Sequence, residues 1–232
     1  MKCVILQPSY IPWRGYFHQI WKADLFIFYD DVQYDKNGWR NRNRIKTSQG
    51  LQWLTIPVHT KGSVPESTPI NKIKISWEKP WALHHWRGIQ FAYRNAPFFP
   101  QYEEYFSEIF SRKPELLADF TIETTIEISR LLGIMHTQFE RSSELSKIEG
   151  TRTDRLISIL KNVGANHYIS GPSAKDYIEK EKFEDAGIEL EYMSYNYPVY
   201  DQLHPPFESQ VSIIDLLFMQ GNNSLKFITL SM

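Results

Sequence analysis

KCVILQPSYIPWRGYFHQIWKADLFIFYDD, residues 2–31, carries the pattern that decides the fold. Residues 3–7 are a short apolar run stopped by a proline, and residues 25–29 are an aromatic and branched run stopped by two aspartates. Runs this short and this apolar read as strands buried on both faces, while the stretch 14–22 between them has helix length. Strand, helix and strand in that order make a βαβ unit, so the first two strands are expected side by side and parallel.

Outward from this unit, residues 52–58 and 70–77 alternate apolar and polar side chains. They are expected to pair as an antiparallel hairpin, with the Gly-, Pro- and Ser-rich spacer 60–69 as a flap between them. Over residues 80–132 the spacing becomes helical, and Pro97, Pro100 and Pro114 divide it into about three helices before Gly133. Residues 137–140, 167–170 and 189–193 read as later strands, separated by helical stretches at 153–163 and 175–186. A last helix, 211–219, ends at Gly221. This alternation predicts an α/β fold, a mostly parallel Rossmann-like sheet flanked by helices, with an inserted β-hairpin and helical subdomain. The expected organisation is a single domain over residues 1–232, with 52–132 as the candidate insertion.

Composition narrows the function classes. With 42% hydrophobic residues, 7 Trp, 13 Tyr and 14 Phe, the chain has apolar area enough for a core without metals or disulfides. Cys3 is alone, so no intramolecular disulfide forms, and a reducing compartment, the cytoplasm, is expected. The first residues lack the apolar region of a signal peptide. No run approaches the roughly 18 apolar residues of a membrane span, so no membrane insertion is expected. A net charge of −1 argues against sequence-independent binding of nucleic acid.

In a doubly wound sheet, ligands bind beyond the carboxyl ends of the strands, which puts the loop 8–15 where a site belongs. Gln7, Tyr10, Trp13, Gly15 and Tyr16 are its candidate substrate contacts: prolines stiffen the loop, a glycine permits close approach, and a helix start offers free N–H groups to an anion. The bland alternative is an aromatic turn that caps the core. Trp13 to Tyr16 stand where nucleotidyltransferases of the HIGH type carry His, any residue, Gly and His. Neither Trp13 nor Tyr16 supplies a charged donor, so adenylation or nucleotidyl transfer ranks as an alternative.

Asp30 and Asp31 end the second predicted strand, from which an acidic residue reaches a ribose hydroxyl or acts as a base; they are the candidate catalytic residues. If the strand runs on through Gln33, they point to opposite sides. No His or Cys spacing accompanies them or Asp35, so no metal site is assigned and no cofactor is named. Arg40, Asn41, Arg42, Asn43 and Arg44 alternate: on an extended chain the three arginines share one face, suited to several phosphates, and on a helix only Arg40 and Arg44 align. A solvated edge strand is the competing reading. Trp39 beside these cations suits a planar or sugar ligand. After the strand at 167–170, Ser173 is a natural helix N-cap and Lys175 a point charge for a phosphate-binding turn. His84 and His85 read as one surface and one buried side chain. Tyr192, Tyr195, Tyr197 and Tyr200 either line a sugar site or pack a Pro-rich loop.

Taken together, QPSYIPWRGYF, FYDDVQYDKNGWRNRNRI, QWLTIPV and VSIIDLLF resemble the WbqC-like protein family, over nearly the whole chain from Lys2 to about Gly221. The resemblance implies a bacterial protein encoded among genes for O-antigen or other surface-polysaccharide synthesis, often beside nucleotide-sugar aminotransferases and acyltransferases. Its blocks map onto Gln7, Pro8, Pro12, Gly15, Tyr16, Asp30, Asp31, Gln33, Tyr34, Trp39, Asn41, Arg42 and Asn43. Trp13 with Arg14 departs from the Tyr and small or apolar residue of other members. The expected ligand is a nucleotide-sugar or other phosphorylated small molecule. The expected function is a transferase modifying a nucleotide-linked amino sugar, for instance by amide formation, and the alternative is a non-catalytic binding or assembly module.

Overall fold

All four residues of the run LFIF are buried, as a strand inside a doubly covered sheet requires. The computed structural model describes residues 1–36, 38–59 and 68–230. Its elements in chain order are β1 (Lys2–Leu6), α1 (Arg14–Lys22), β2 (Leu25–Phe28), β3 (Arg42–Thr47), β4 (Gly50–Thr55), α2 (Trp81–Tyr93), α3 (Phe99–Ser111) and α4 (Leu117–Leu131). Then follow β5 (Gln138–Arg141), α5 (Arg152–Asn162), β6 (His167–Ser170), α6 (Lys180–Asp185), β7 (Glu189–Tyr192), α7 (Ile213–Gln220) and the short α8 (Lys226–Thr229).

Five strands pair in parallel in the order β5-β2-β1-β6-β7. Numbered by their own succession these strands run third, second, first, fourth, fifth. That is the doubly wound order, whose direction reverses between β1 and β6. Side-chain alternation then divides the core in two. Val4, Phe26, Phe28 and Ile169 face a large apolar cluster that also takes in α1, the hairpin, α2, α3, α4 and α7. Cys3, Ile5, Leu25, Ile27 and Tyr168 face a smaller one built with Leu156, Ile159 and Leu160 of α5 and Phe183 of α6. Cys3 is buried there, and burial pushes its thiol up to about 12, which fits packing rather than reactivity.

Several expected elements move. A hairpin is present, but its strands are β3 and β4, paired from Arg42 with Thr55 to Thr47 with Gly50. Residues 70–77 contribute a 3₁₀ turn, Ile70–Lys72, and two isolated bridges, Ile75 with Val58 and Lys74 with Leu116. The turn chemistry explains the choice: Gly50 adopts φ 102°, and the Thr47 hydroxyl donates to its carbonyl and accepts from Gln49 N–H. Most of the spacer 60–69 lies outside the described residues. The helical stretch at 175–186 divides into a 3₁₀ turn, Pro172–Asp176, and α6. Pro172 opens that turn with Gly171 as its cap, so Ser173 lies inside it and caps nothing. The expected helices of residues 80–132 are α2, α3 and α4. His85 is buried and His84 exposed, as their adjacency on a helix requires.

Candidate functional site

A cavity of about 490 Å3 opens at the carboxyl ends of β1 and β6. Its size falls within the roughly 300–1,000 Å3 of small-molecule pockets. The location follows from topology. From β1 the chain leaves through α1 on one face of the sheet, and from β6 it leaves toward α6 on the other, so the two loops part and a crevice remains. A more open hollow beside α5 mixes Lys147 and Lys161 with Glu149 and Asp154 and has no aromatic wall.

Four segments build the lining. The first loop and α1 give Ser9, Pro12, Trp13, Tyr16 and Gln19. The approach to the hairpin gives Trp39, Arg40 and Asn43; the turn after β6 gives Gly171, Pro172 and Ser173. Tyr195, Ser209 and Gln210 complete the wall from residues 193–212, which contain no helix or strand. Arg40 is the one charged side chain among these lining residues.

The first loop is held in a strained shape. Ile11, a β-branched residue, has φ 35°, in the left-handed region that such side chains avoid. Its carbonyl accepts from Asn43 Nδ2 at 2.8 Å and from the Ser212 hydroxyl at 2.8 Å. Asn43 also donates to the Tyr10 carbonyl at 3.0 Å, and Ile213 N–H to that of Pro12 at 2.8 Å. Arg40 Nη1 reaches the carbonyls of Gln7 at 3.2 Å and Pro8 at 3.3 Å and the Ser9 hydroxyl at 3.1 Å. Burial lowers the pKa of its guanidinium, and its Nε has no hydrogen-bond partner. The loop therefore arrives preorganised, with a cation that retains donor capacity beside it.

Gly15 explains how Trp13 reaches the cavity. A Cβ on Gly15 would lie 2.3 Å from the Trp13 ring, so only glycine lets the indole fold over the start of α1. The ring meets Tyr195 edge-on at 5.0 Å. Tyr195 accepts from Gln19 Nε2 at 2.8 Å, and burial pushes its hydroxyl up to about 12. The segment bearing it is anchored from below. Arg14 donates to the Pro198 carbonyl at 2.9 Å and lies 4.6 Å from the Tyr197 ring. Buried Asp215 of α7 accepts from Tyr200 at 2.7 Å, Tyr93 at 2.9 Å and Gln202 at 2.9 Å. Burial raises the Asp215 carboxyl, and these three donors draw it partway back.

The sequence-derived candidates fall into three groups. Trp13, Tyr16, Trp39, Arg40, Asn43 and Ser173 line the cavity, and Gln7 presents its carbonyl to both Arg40 and Tyr16. Gly15 shapes it. Arg42 and Arg44 stand on the outer face of the hairpin, over Trp53. The other candidates sit elsewhere. Tyr10 is fully buried, its hydroxyl 2.8 Å from His85 Nδ1. Asn41 is buried and donates to the Ile56 carbonyl at 2.8 Å. Tyr34 is buried and raised to about 12 by that burial, Gln33 is exposed, and Lys175 is exposed 5.2 Å from the Tyr192 ring.

Asp30 and Asp31 do not line the cavity. β2 stops at Phe28, so the two carboxylates do not diverge as on a continuing strand; both accept from the Ser142 hydroxyl, at 3.3 and 2.6 Å. Asp30 further accepts from Ser143 N–H at 3.1 Å and Oγ at 2.9 Å, and Asp31 pairs with Arg155. They join the ends of β2 and β5. Among the described residues no cluster of His, Cys, Asp and Glu is arranged to hold a metal ion.

Gln19, Ser209, Gln210 and Trp53 were not among the candidates. Tyr195 carried a signal, a tyrosine-rich stretch, that packing explained equally well. Ser209 and Gln210 carried none, because polar loop residues reveal nothing of the strand ends they will meet.

A family model described as the WbqC-like protein family matches residues 7–227. An uncharacterized protein of Mycobacterium tuberculosis, Rv1507c, is 40% identical over 222 residues, 95% of this chain and 94% of the relative. No solved structure matches the chain. No helix among the described residues is long and apolar enough to cross a membrane.

Proposed function

Because the chain belongs to the WbqC-like protein family, we propose that its cavity binds a nucleotide-linked sugar, which the protein modifies as a transferase of bacterial surface-polysaccharide (O-antigen-type) synthesis. The observation that carries this reading is the joining of Trp13, Trp39 and Tyr195 with Arg40 in one crevice at the switch point. Aromatic faces hold the apolar side of a sugar ring, neutral groups such as Ser209 and Gln210 bond its hydroxyls, and the guanidinium takes a phosphate. For amide formation the free amine attacks the carbonyl of an activated acyl donor such as a thioester; the C–N bond forms as the C–S bond breaks and the thiol leaves with the proton the amine gives up, so the site has chiefly to orient the two reactants.

A second reading is favoured by a specific observation: among the described residues no carboxylate or imidazole lines the cavity, and Asp30 and Asp31 are engaged with Ser142, Ser143 and Arg155. Under it the protein holds a pathway intermediate for another enzyme. Calorimetric titration with nucleotide-sugars and free nucleotides tests what both readings share. Arg40→Met should weaken nucleotide-sugar binding by about ten-fold, the loss of a charged hydrogen bond. Unchanged affinity in both Arg40→Met and Trp13→Ala removes the cavity from either reading. Mass-spectrometric conversion of a bound nucleotide amino sugar in the presence of an acyl donor decides for the transferase; binding without conversion by any donor tried decides for the holding module.

A further inference from the structure

The hairpin carries a surface that extends beyond the cavity. Trp39 and Trp53 are 41% and 46% exposed, with ring centroids 5.4 Å apart. Two large indoles left side by side in water are an unfavourable surface unless something covers them. Arg44 pairs directly across the ladder with Trp53, which puts both on one face, and its guanidinium lies 5.3 Å from the Trp53 ring and 5.4 Å from the Trp39 ring. Arg42, two residues earlier on the same face, lies 4.8 Å from Trp53. Asn41 and Asn43 alternate inward, where their amides bond the Ile56, Tyr10 and Ile11 carbonyls. Neither RNRIKT nor GLQWLT contains an acidic residue, so the charges these two strands bring to the face, where Leu51 and Thr55 complete the row with Trp53, are all cationic.

This face runs into the cavity. Trp39 belongs to both, Arg40 begins the arginine row inside, and Arg44 donates at 2.9 Å to Gln210, a lining residue. We infer that the outer face of the hairpin is the second half of the site and holds the base and the diphosphate of a nucleoside diphosphate, the phosphate nearer the sugar being shared with Arg40, while the cavity takes the glycosyl group. The inference rests on the proposed function and assigns each half of the ligand a place. Charge and shape agree with that occupant. A base has two π faces to lay on indole, and Arg42 and Arg44 stand about 7 Å apart by strand rise, so the two guanidiniums flank the diphosphate that Arg40 meets at its sugar end.

The full chain is titrated calorimetrically with uridine, thymidine and guanosine diphosphates, with the matching nucleosides, with inorganic pyrophosphate and with nucleotide-sugars, as wild type, Trp53→Ala, Trp53→Phe and Trp13→Ala. Melting temperatures check that each variant is folded. The expected result is that a nucleoside diphosphate binds more tightly than pyrophosphate, that Trp53→Ala weakens it by about ten-fold, as loss of a stacking platform does, and that Trp53→Phe restores most of this. Pyrophosphate affinity should stay within two-fold across the Trp53 variants, on the order of an untouched contact. Nucleoside diphosphate binding that is indifferent to Trp53→Ala, or no tighter than pyrophosphate, overturns the inference. So does a Trp53-dependent self-association without nucleotide binding. Nucleotide-sugar binding that needs Trp13 but not Trp53 sinks this inference alone and leaves the proposed function standing. Diphosphate binding that needs Trp53, with no contribution of the sugar through Trp13, sinks the placement of the sugar in the cavity instead.

Discussion

His85 shows how one buried ring couples the fold to acidity. Its Nδ1 lies 2.8 Å from the Tyr10 hydroxyl, in the core behind the first loop. Burial lowers its pKa to about 4 from 6.5, with the Thr55 backbone opposing part of the shift. The unfolded chain therefore takes up a proton near pH 6.5 that the folded chain refuses until about pH 4. The stability gained from the neutral ring is whole above pH 6.5 and is lost as pH falls through that window. At about 1.4 kcal/mol per pKa unit, roughly 3 kcal/mol is at stake. Burial lowers His18 to about 4 as well, so urea unfolding followed between pH 7 and 4 should show a decline of which His85→Gln removes about half; an equal decline in the variant assigns the effect to other groups. Single residues were the least legible scale in the sequence. Arg40 and Asn43 were marked as ligand contacts from their alternation, but their bonds to the first loop depend on a strand register that no local pattern encodes.

Helix α1 puts the same question to an element. Its first turn has no acidic residue and no side-chain cap, and its second residue, Gly15, lies beneath the Trp13 ring. Gly15→Ala improves helix propensity by about 1 kcal/mol but drives a methyl group into the indole. Thermal stability should therefore change by no more than about 2 kcal/mol in either direction, because a ring at a cavity edge can swing away. Ligand affinity should fall by about ten-fold, since a displaced wall loses its stacking contact. Titration and melting on the same variant check both halves; full affinity would show that the indole is not a working wall. Elements were the most legible scale. The helix Arg14–Lys22 and the strand His167–Ser170 were read with their observed bounds, because apolar periodicity and proline positions are local signals. The hairpin departs from expectation for a physical reason as well: the segment of β4 has a candidate partner on either side in sequence, and the turn at Gly50, rather than apolar alternation, selects β3.

For the whole molecule, the parallel sheet and its flanking helices follow from the alternation of runs, whereas the strand order, and with it the reversal at which the cavity opens, is visible only in the fold. Such a cavity, once filled, should stabilise the entire domain. A ligand at a hundred times its Kd adds about 2.7 kcal/mol by mass action. For a chain of this size that raises the Tm by about 5–10 °C. A nucleotide-sugar that saturates the protein by titration yet leaves the Tm unmoved would have to bind the unfolded chain equally well. The walls of this crevice come from opposite ends of the polypeptide, Ser9 to Tyr16 on one side and Ser209 and Gln210 on the other, fastened where Ile213 N–H meets the Pro12 carbonyl. Ile11 and Ser212 are joined across 201 residues of chain, so the crevice takes its shape only once the sheet and helices between them have folded.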